Sequence, residues 1–173
     1  RISIGAQSFN DELLEKIGRL HNNRDITDTV RMVKIAGFKN FSMDLMFAIP
    51  DLGVRTWKRT VKAALKLKPH HVSFYSLEIV EGTEFYRRLK DCEFKETLPH
   101  IDRMMYHDAI DIMENKGYEH YEISNMALPG YECLHNQKYW NFEDYMGLGA
   151  GAHSFIKGVR YSNISNIDEY IKK

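Results

Sequence analysis

The sequence has little cysteine, no excess charge of either sign and no long apolar run. Its 173 residues include only 2 cysteines, Cys92 and Cys133, whose wide separation argues against a disulfide framework and favours a reducing compartment. The 24 Lys and Arg residues balance the 24 Asp and Glu residues, so the net positive charge typical of nucleic-acid-binding proteins is missing. No apolar stretch approaches the ~18 residues that a transmembrane helix needs. These absences predict a soluble cytoplasmic domain that neither binds nucleic acid nor spans a membrane.

The spacing of apolar residues in the first half is typical of an α/β fold with a parallel sheet. It predicts three strands, at residues 2–9, 41–49 and 71–80, with helices in the two intervals between them. Asn10 and Asp11 are suited to cap the first helix. Strands about thirty to forty residues apart and joined by helices form βαβ units, which place their strands side by side in one parallel sheet.

The second half changes character and has more loops. It predicts a long helix that ends near Gly117, a strand at residues 118–124 and a hairpin turn at Lys157-Gly158. We therefore predict two domains, half of an α/β barrel at residues 1–80 and an α+β extension at residues 81–173. Because the chain opens on an apolar alternating stretch without Met, we expect it to be part of a longer protein.

Two polar residues of the predicted strands are candidates for ligand contacts. Ligands of parallel α/β folds bind at the carboxyl ends of the strands, and Gln7 lies at the end of the first strand. Asp44 is the only charged residue of its strand, and a buried carboxylate needs a partner or a ligand. Arg19, just past the first helix, is a candidate partner. From the residues alone, a structural ion pair between Asp44 and Arg19 is favoured over a ligand site.

The segment GLGAGA at residues 147–152 fits the letters of a G-x-G-x-x-A dinucleotide fingerprint. Such a fingerprint follows the first strand of a βαβ unit, opens a helix and has an acidic residue about 20 positions later. Here the chain ends soon after the segment and a hairpin is predicted in between. A tight turn with closely packed backbone is therefore the favoured interpretation.

The segment HNQKYW, which begins at His135, combines an imidazole with two large aromatic side chains. Such a group can ligate a metal, or bind a flat macrocycle by axial coordination and stacking. His135 and Tyr139 share a face in a helix and also in a strand, where Trp140 points away. His153 and Cys133 are further candidate ligands. From the residues alone, an aromatic core contact with a hydrogen-bonded histidine is the favoured alternative.

Several of these stretches together resemble the oxygen-independent coproporphyrinogen III oxidase family of radical SAM proteins. They are RISIGAQSFN at residues 1–10, MDLMFAIP at residues 43–50 and YEISN at residues 121–125. GYEC leading into HNQKYW, and GLGAGAHS at residues 147–154, resemble the HemW branch of this family. In that branch an H-N-x-x-Y-W motif is associated with haem binding, and its members are regarded as haem chaperones. The HemN oxidases are similar through the barrel but lack this motif.

The resemblance covers essentially the whole chain and implies a fold and a cofactor. The family fold is a partial (β/α)6 TIM-like radical SAM barrel, of which this chain would supply the C-terminal half plus an α+β extension. By position, the resemblance implies that Gln7, Arg19 and Asp44 contact S-adenosylmethionine. A guanidinium can hold the methionyl carboxylate, while an amide and a carboxylate suit ribose hydroxyls or the amino group.

The resemblance also implies a haem site and a function. The implied haem contacts are His135, Asn136, Tyr139 and Trp140, with His135 on the haem iron. We therefore expect a HemW-like haem chaperone that binds haem and delivers it to a haem-accepting protein. The alternative is an oxygen-independent coproporphyrinogen III oxidase, which decarboxylates propionates of coproporphyrinogen III to vinyl groups.

The family's [4Fe–4S] cluster is not expected to have its ligands in this chain. The resemblance places the C-x-x-x-C-x-x-C motif upstream of Arg1, and Cys92 and Cys133 cannot replace three closely spaced thiolates. We therefore expect no radical chemistry from the chain on its own.

Overall fold

The computed structural model describes residues 1–172, which form two compact units. The first unit is Arg1–Tyr131, and the second begins at Glu132. The predicted boundary at residue 80 separates barrel strands from an extension, a distinction that compactness does not test, and it stays a prediction. No helix within the described residues is both long enough and apolar enough to cross a membrane.

The first unit begins with alternating strands and helices, as the sequence predicts. Asn10 caps the first helix by accepting a hydrogen bond from Leu13 N, and Asn22 forms a capping box with Asp25 at the second. The elements are β1 (Ile2–Gln7), α1 (Asp11–Lys16), α2 (Asn23–Ile35), β2 (Phe41–Phe47), α3 (Val54–Lys66), β3 (His71–Ser76), α4 (Glu84–Lys90), α5 (Pro99–Glu114), β4 (Glu119–Glu122) and β5 (Asn125–Ala127).

These strands form one sheet in the order β1-β2-β3-β5-β4. The pairs β1–β2 and β2–β3 are parallel, which confirms the predicted βαβ arrangement. The α/β fold class is thus confirmed.

The strand predicted at residues 118–124 is confirmed as β4 (Glu119–Glu122). A second short strand, β5, forms beyond its predicted end, antiparallel to β4, and pairs with β3. The reason is burial: Met126 and Ala127, just past the predicted end, are fully buried and need a paired backbone. The Asn125 amide donates to the Glu122 carboxylate across the turn. A strand of only three residues leaves too short an apolar pattern to predict.

The helices of the first unit cover one face of its sheet and leave the other without them. Phe41, Met43 and Leu45 of β2 and Phe74 of β3 are almost fully buried among apolar side chains of α2, α3 and α5. Trp57 of α3 is the largest fully buried side chain, and its indole N–H donates to Met105 O of α5 at 2.7 Å. The opposite face, called here the helix-free face, is polar.

The second unit contains α6 (Leu134–Trp140), the hairpin β6 (His153–Ile156) and β7 (Val159–Ser162), and α7 (Ile167–Lys172). The hairpin turns at Lys157 and Gly158 with φ of 49° and 77°, which confirms the predicted turn. Within residues 132–172, Ser154 is the only buried residue, so the described part of this unit has almost no apolar core of its own.

Candidate functional site

The helix-free face carries a row of residues from four neighbouring strands. Gly5, Asp44, Ser73 and Asn125 are paired in register across β1, β2, β3 and β5, so their side chains point to the same side. Gly5 is exposed, Asp44 and Ser73 are partly buried, and Asn125 is buried. The row therefore leaves Asp44 and Ser73 within reach of a ligand.

Two strand ends on this sheet have an uncommon backbone conformation. Gln7 ends β1 with φ of 59°, and Ala48 follows β2 with φ of 55°, although neither is glycine. Such conformations cost free energy and cluster at functional sites. The Gln7 side chain is buried, and Tyr75 donates its hydroxyl to Gln7 Oε1 at 3.0 Å. Gln7, which the sequence predicts as a candidate ligand residue, therefore lies at the carboxyl end of β1.

The predicted ion pair between Asp44 and Arg19 is wrong. Both carboxylate oxygens of Asp44 accept the Ser3 hydroxyl at 3.0 Å, and no ion pair or hydrogen bond joins Asp44 to Arg19 within residues 1–172. Arg19 lies exposed after α1, whose C-terminal turn closes through Arg19 N donating to Leu14 O at 2.9 Å. The structure thus brings Gln7 and Asp44 to neighbouring strands and leaves Arg19 exposed outside the sheet.

A hydrogen-bonded chain that the sequence did not reveal lies on the same face. His71 is buried between Ser42 and Tyr121: Ser42 Oγ lies 2.9 Å from Nδ1, and Tyr121 Oη lies 2.7 Å from Nε2. Burial, together with the positive charge of Arg1, lowers the pKa of His71 to about 4. A neutral imidazole can thus hold the Tyr121 hydroxyl in place. The available signal was a pair of polar residues, Ser42 near the start of β2 and His71 at the start of β3.

His71 is expected to make the first unit less stable in acid. Its pKa is about 4 in the folded protein, against an ordinary histidine pKa of 6.5. Between these two values the unfolded chain binds more protons than the folded one, so stability falls as pH falls. Between pH 7 and pH 5 the loss should be about 2 kcal/mol. Urea unfolding at both pH values measures it. In the His71→Gln variant the free energy of unfolding should lose most of this dependence on pH. The control His107→Gln, at an exposed position, should keep it. An equal pH dependence in the wild type and both variants would contradict the assignment to His71.

In the second unit, aromatic rings form a continuous surface that starts at His135. The helical alternative for HNQKYW is the observed one, and His135 Nε2 lies 2.7 Å from the Tyr139 hydroxyl. The Tyr139 ring meets the Tyr145 ring at 4.6 Å between centroids, and Tyr145 lies 6.3 Å from Phe155. We call these four residues the aromatic surface.

The prediction of a core contact at His135 is confirmed for its hydrogen bond and ring contact and is wrong for its burial. The imidazole is hydrogen-bonded and touches an aromatic ring, but it is exposed, as are Tyr139 (41%) and Trp140 (50%). Asn136 is partly buried. An exposed imidazole among exposed rings is available to a ligand, whereas a core histidine is not.

The other candidate ligands do not join His135 in a metal site. Cys133 precedes α6 and is partly buried, and His153 begins β6 with an exposed side chain. Within residues 1–172 no three His, Cys, Asp or Glu side chains are grouped so as to hold a metal ion. A metal ion bound at His135 would therefore need further ligands from outside the protein, such as the ring nitrogens that a macrocycle supplies to its iron.

The GLGAGA segment is a close backbone contact, as predicted. A Cβ added to Gly147 would lie 2.2 Å from the carbonyl oxygen of His153, so only glycine fits. Gly149 and Gly151 have φ of 103° and 71°. The segment leads into strand β6 and opens no helix, which excludes a dinucleotide fingerprint.

Comparisons with known proteins agree with this geometry. No protein-family model matches the chain. The heme chaperone HemW of Lactococcus lactis is 42% identical over 174 residues, covering 99% of this chain and 45% of that protein. The heme chaperone HemW of Bacillus subtilis is 39% identical over 171 residues, again 99% of this chain and 45% of that protein.

Among solved structures, coproporphyrinogen III oxidase HemN of Escherichia coli, described as a radical SAM enzyme, matches with a TM-score of 0.78. It is 20% identical, and the match covers 98% of this chain and 42% of that one. An archaeal Elp3 from Methanocaldococcus infernus matches with a TM-score of 0.59 at 28% identity, covering 65% of this chain and 27% of that one.

The three parallel strands β1, β2 and β3, with one polar face, and the match to HemN over 98% of this chain define a piece of the radical SAM barrel fold. Within that class, the chain belongs to the HemW family. It spans about 45% of the length of the curated relatives it matches.

Proposed function

We propose that this chain is part of a haem chaperone, a protein that binds haem and delivers it to a haem-accepting protein. Its relatives carry the name heme chaperone HemW. The observation that carries the proposal is the exposed pair of His135 and Tyr139 at one end of the aromatic surface. A cytoplasmic location belongs to the same proposal.

The residues present suit haem as a cargo. Haem needs a flat apolar surface and a nitrogen, sulfur or oxygen atom for its iron, and the second unit exposes both beside one another. His135 is the proposed iron ligand, with Asn136, Tyr139 and Trp140 lining the site. Because His135 Nε2 lies 2.7 Å from the Tyr139 hydroxyl, iron binding at Nε2 requires that hydrogen bond to open. Tyr139 then contributes its ring.

Gln7, Asp44 and Arg19 are the proposed contacts of S-adenosylmethionine. Asp44 suits that role because its carboxylate lies on the helix-free face and is matched only by the Ser3 hydroxyl within the described residues, leaving acceptor capacity for an amino or hydroxyl group. When bound to a reduced iron–sulfur cluster, S-adenosylmethionine supplies a radical. The two cysteines of this chain cannot hold such a cluster.

A second candidate function is the oxidative decarboxylation of coproporphyrinogen III. The fold of HemN, which the first unit shares, favours it. The polar helix-free face offers groups that could hold propionates. Formation of protoporphyrinogen by the complete protein with its cluster would support the oxidase, and its absence together with haem binding would support the chaperone.

The chaperone proposal predicts saturable haem binding that depends on His135. Haemin titration followed by Soret absorbance should show binding weakened about tenfold or more by His135→Ala, because the iron loses its axial ligand. His107→Ala, an exposed histidine in the first unit, is the matched control and should bind normally. Tyr139→Phe should retain binding, since it frees Nε2. Equal binding by wild type and His135→Ala would remove His135 from the site.

A further inference from the structure

Arg160 shares a sheet face with the aromatic surface. Strand pairing places Phe155 of β6 opposite Arg160 of β7, and an isolated bridge places Tyr145 opposite Phe155 on the other side. Paired residues of neighbouring strands point to the same side. Tyr145, Phe155 and Arg160 therefore form one row, two rings followed by a guanidinium.

This row is continuous with the imidazole. His135 contacts Tyr139 at 4.9 Å between ring centroids, Tyr139 contacts Tyr145 at 4.6 Å, and Tyr145 leads to Phe155 at 6.3 Å. Arg160 follows across the strand pair. The surface thus has a metal-binding nitrogen at one end, apolar rings in the middle and a positive charge at the other end.

Arg160 has no ion pair within residues 1–172, and it is exposed. The acids nearest in sequence to the row are already engaged. Glu143 pairs with Lys138 at 3.2 Å, and the Asp144 carboxylate accepts Lys157 N at 2.9 Å. The charge of Arg160 is therefore available to a ligand on the aromatic surface.

We propose that Arg160 binds the propionate carboxylates of the haem whose iron is bound at His135. This inference rests on the proposed function and adds the group that orients the cargo. Haem is flat and apolar except for its iron and the two carboxylates at one edge, and the surface presents matching groups in the same order. A guanidinium can donate two parallel hydrogen bonds to a carboxylate, which fixes direction as well as charge.

The test compares haemin with its dimethyl ester, which keeps the iron and the ring but has no carboxylates. Both are titrated, in the same low concentration of detergent, into wild type, Arg160→Met, Arg160→Lys and Lys157→Met. Arg160→Met should weaken haemin binding roughly threefold to tenfold and leave ester binding unchanged. Arg160→Lys should recover part of the loss. Lys157→Met removes an equal charge from the hairpin turn, outside the row, and should leave both affinities near wild type.

The outcomes separate this inference from the proposed function. Equal haemin affinity in wild type and Arg160→Met overturns the role of Arg160 while leaving His135 untouched. An equal loss for haemin and ester assigns Arg160 to packing and also overturns it. If wild type binds haemin no better than His135→Ala, the proposed function fails and takes this inference with it. Because Arg160 is exposed on a surface strand, its replacement should leave thermal unfolding unchanged, and that scan checks folding.

Discussion

Replacement of Trp57 by alanine is expected to destabilise the first unit by about 3–5 kcal/mol. Trp57 is completely buried, its ring meets Phe47 at 5.5 Å between centroids, and its N–H donates to Met105 O at 2.7 Å. The side chain joins α3 to α5 beneath β2, so its loss leaves a cavity where three elements meet. Urea denaturation followed by far-UV circular dichroism measures the change.

Two variants show which part of Trp57 matters. Trp57→Phe keeps most of the apolar volume but loses the donor to Met105, and should cost about 1–2 kcal/mol. Trp140→Ala removes the chain's other tryptophan, which is 50% exposed, and should cost less than about 1 kcal/mol. A Trp57→Ala variant as stable as Trp140→Ala would show that α3 and α5 are not held together by this side chain.

The parallel part of the fold was predictable because its signals are local and repeated. Each of β1, β2 and β3 is a run of apolar or alternating residues followed by a helix, and the helix after β1 has a clear cap at Asn10. Only the first strand of the antiparallel hairpin, β4, was predicted. Its second strand, β5, has three residues, and the pairing of β5 with β3 depends on residues about fifty positions apart in sequence.

The candidate site was also predictable only in part. Gln7 could be chosen because it is polar and ends its strand, and Asp44 because it is the only charged residue of its strand. The link from Ser42 through His71 to Tyr121 could not, since it depends on the register of β2 against β3 and on a bulge in the hairpin. An isolated histidine in a sequence gives no indication of which hydroxyls will meet it.

In the second unit, the exposure of the aromatic side chains was the feature that the sequence did not predict. The turn at Lys157 follows from local sequence and is observed, whereas local sequence left the helix and the strand open as alternatives at His135, where the helix is observed. Exposure does not follow, because large aromatic side chains usually predict burial. Here Tyr139, Trp140 and Phe142 are exposed at 41%, 50% and 73%. A chain that leaves rings exposed in this way is suited to an apolar ligand.

Gly147→Ala is expected to disrupt the second unit, with a cost of roughly 3 kcal/mol at the upper end of overpacking effects. The new methyl group would lie 2.2 Å from His153 O, so the backbone segments must separate. Separation would break the paired bonds between Tyr145 and Phe155, of 2.8 and 2.9 Å, and the bond of Gly147 N to Ser154 Oγ. Hydrogen exchange of the Tyr145 and Phe155 amides should accelerate, and haemin binding should weaken with it.

Gly53→Ala is the matched control, because a Cβ at Gly53 meets nothing within 4 Å and the residue has an ordinary φ of −79°. It should cost less than about 1 kcal/mol. If the amides of Tyr145 and Phe155 exchanged at the same rate in Gly147→Ala and in Gly53→Ala, the close approach of residues 147 and 153 would not hold the unit together. If it lost amide protection but kept haemin affinity, the row from Tyr145 to Arg160 would not form part of the haem site. The single methyl group thus tests the local fold and the proposed cargo surface together.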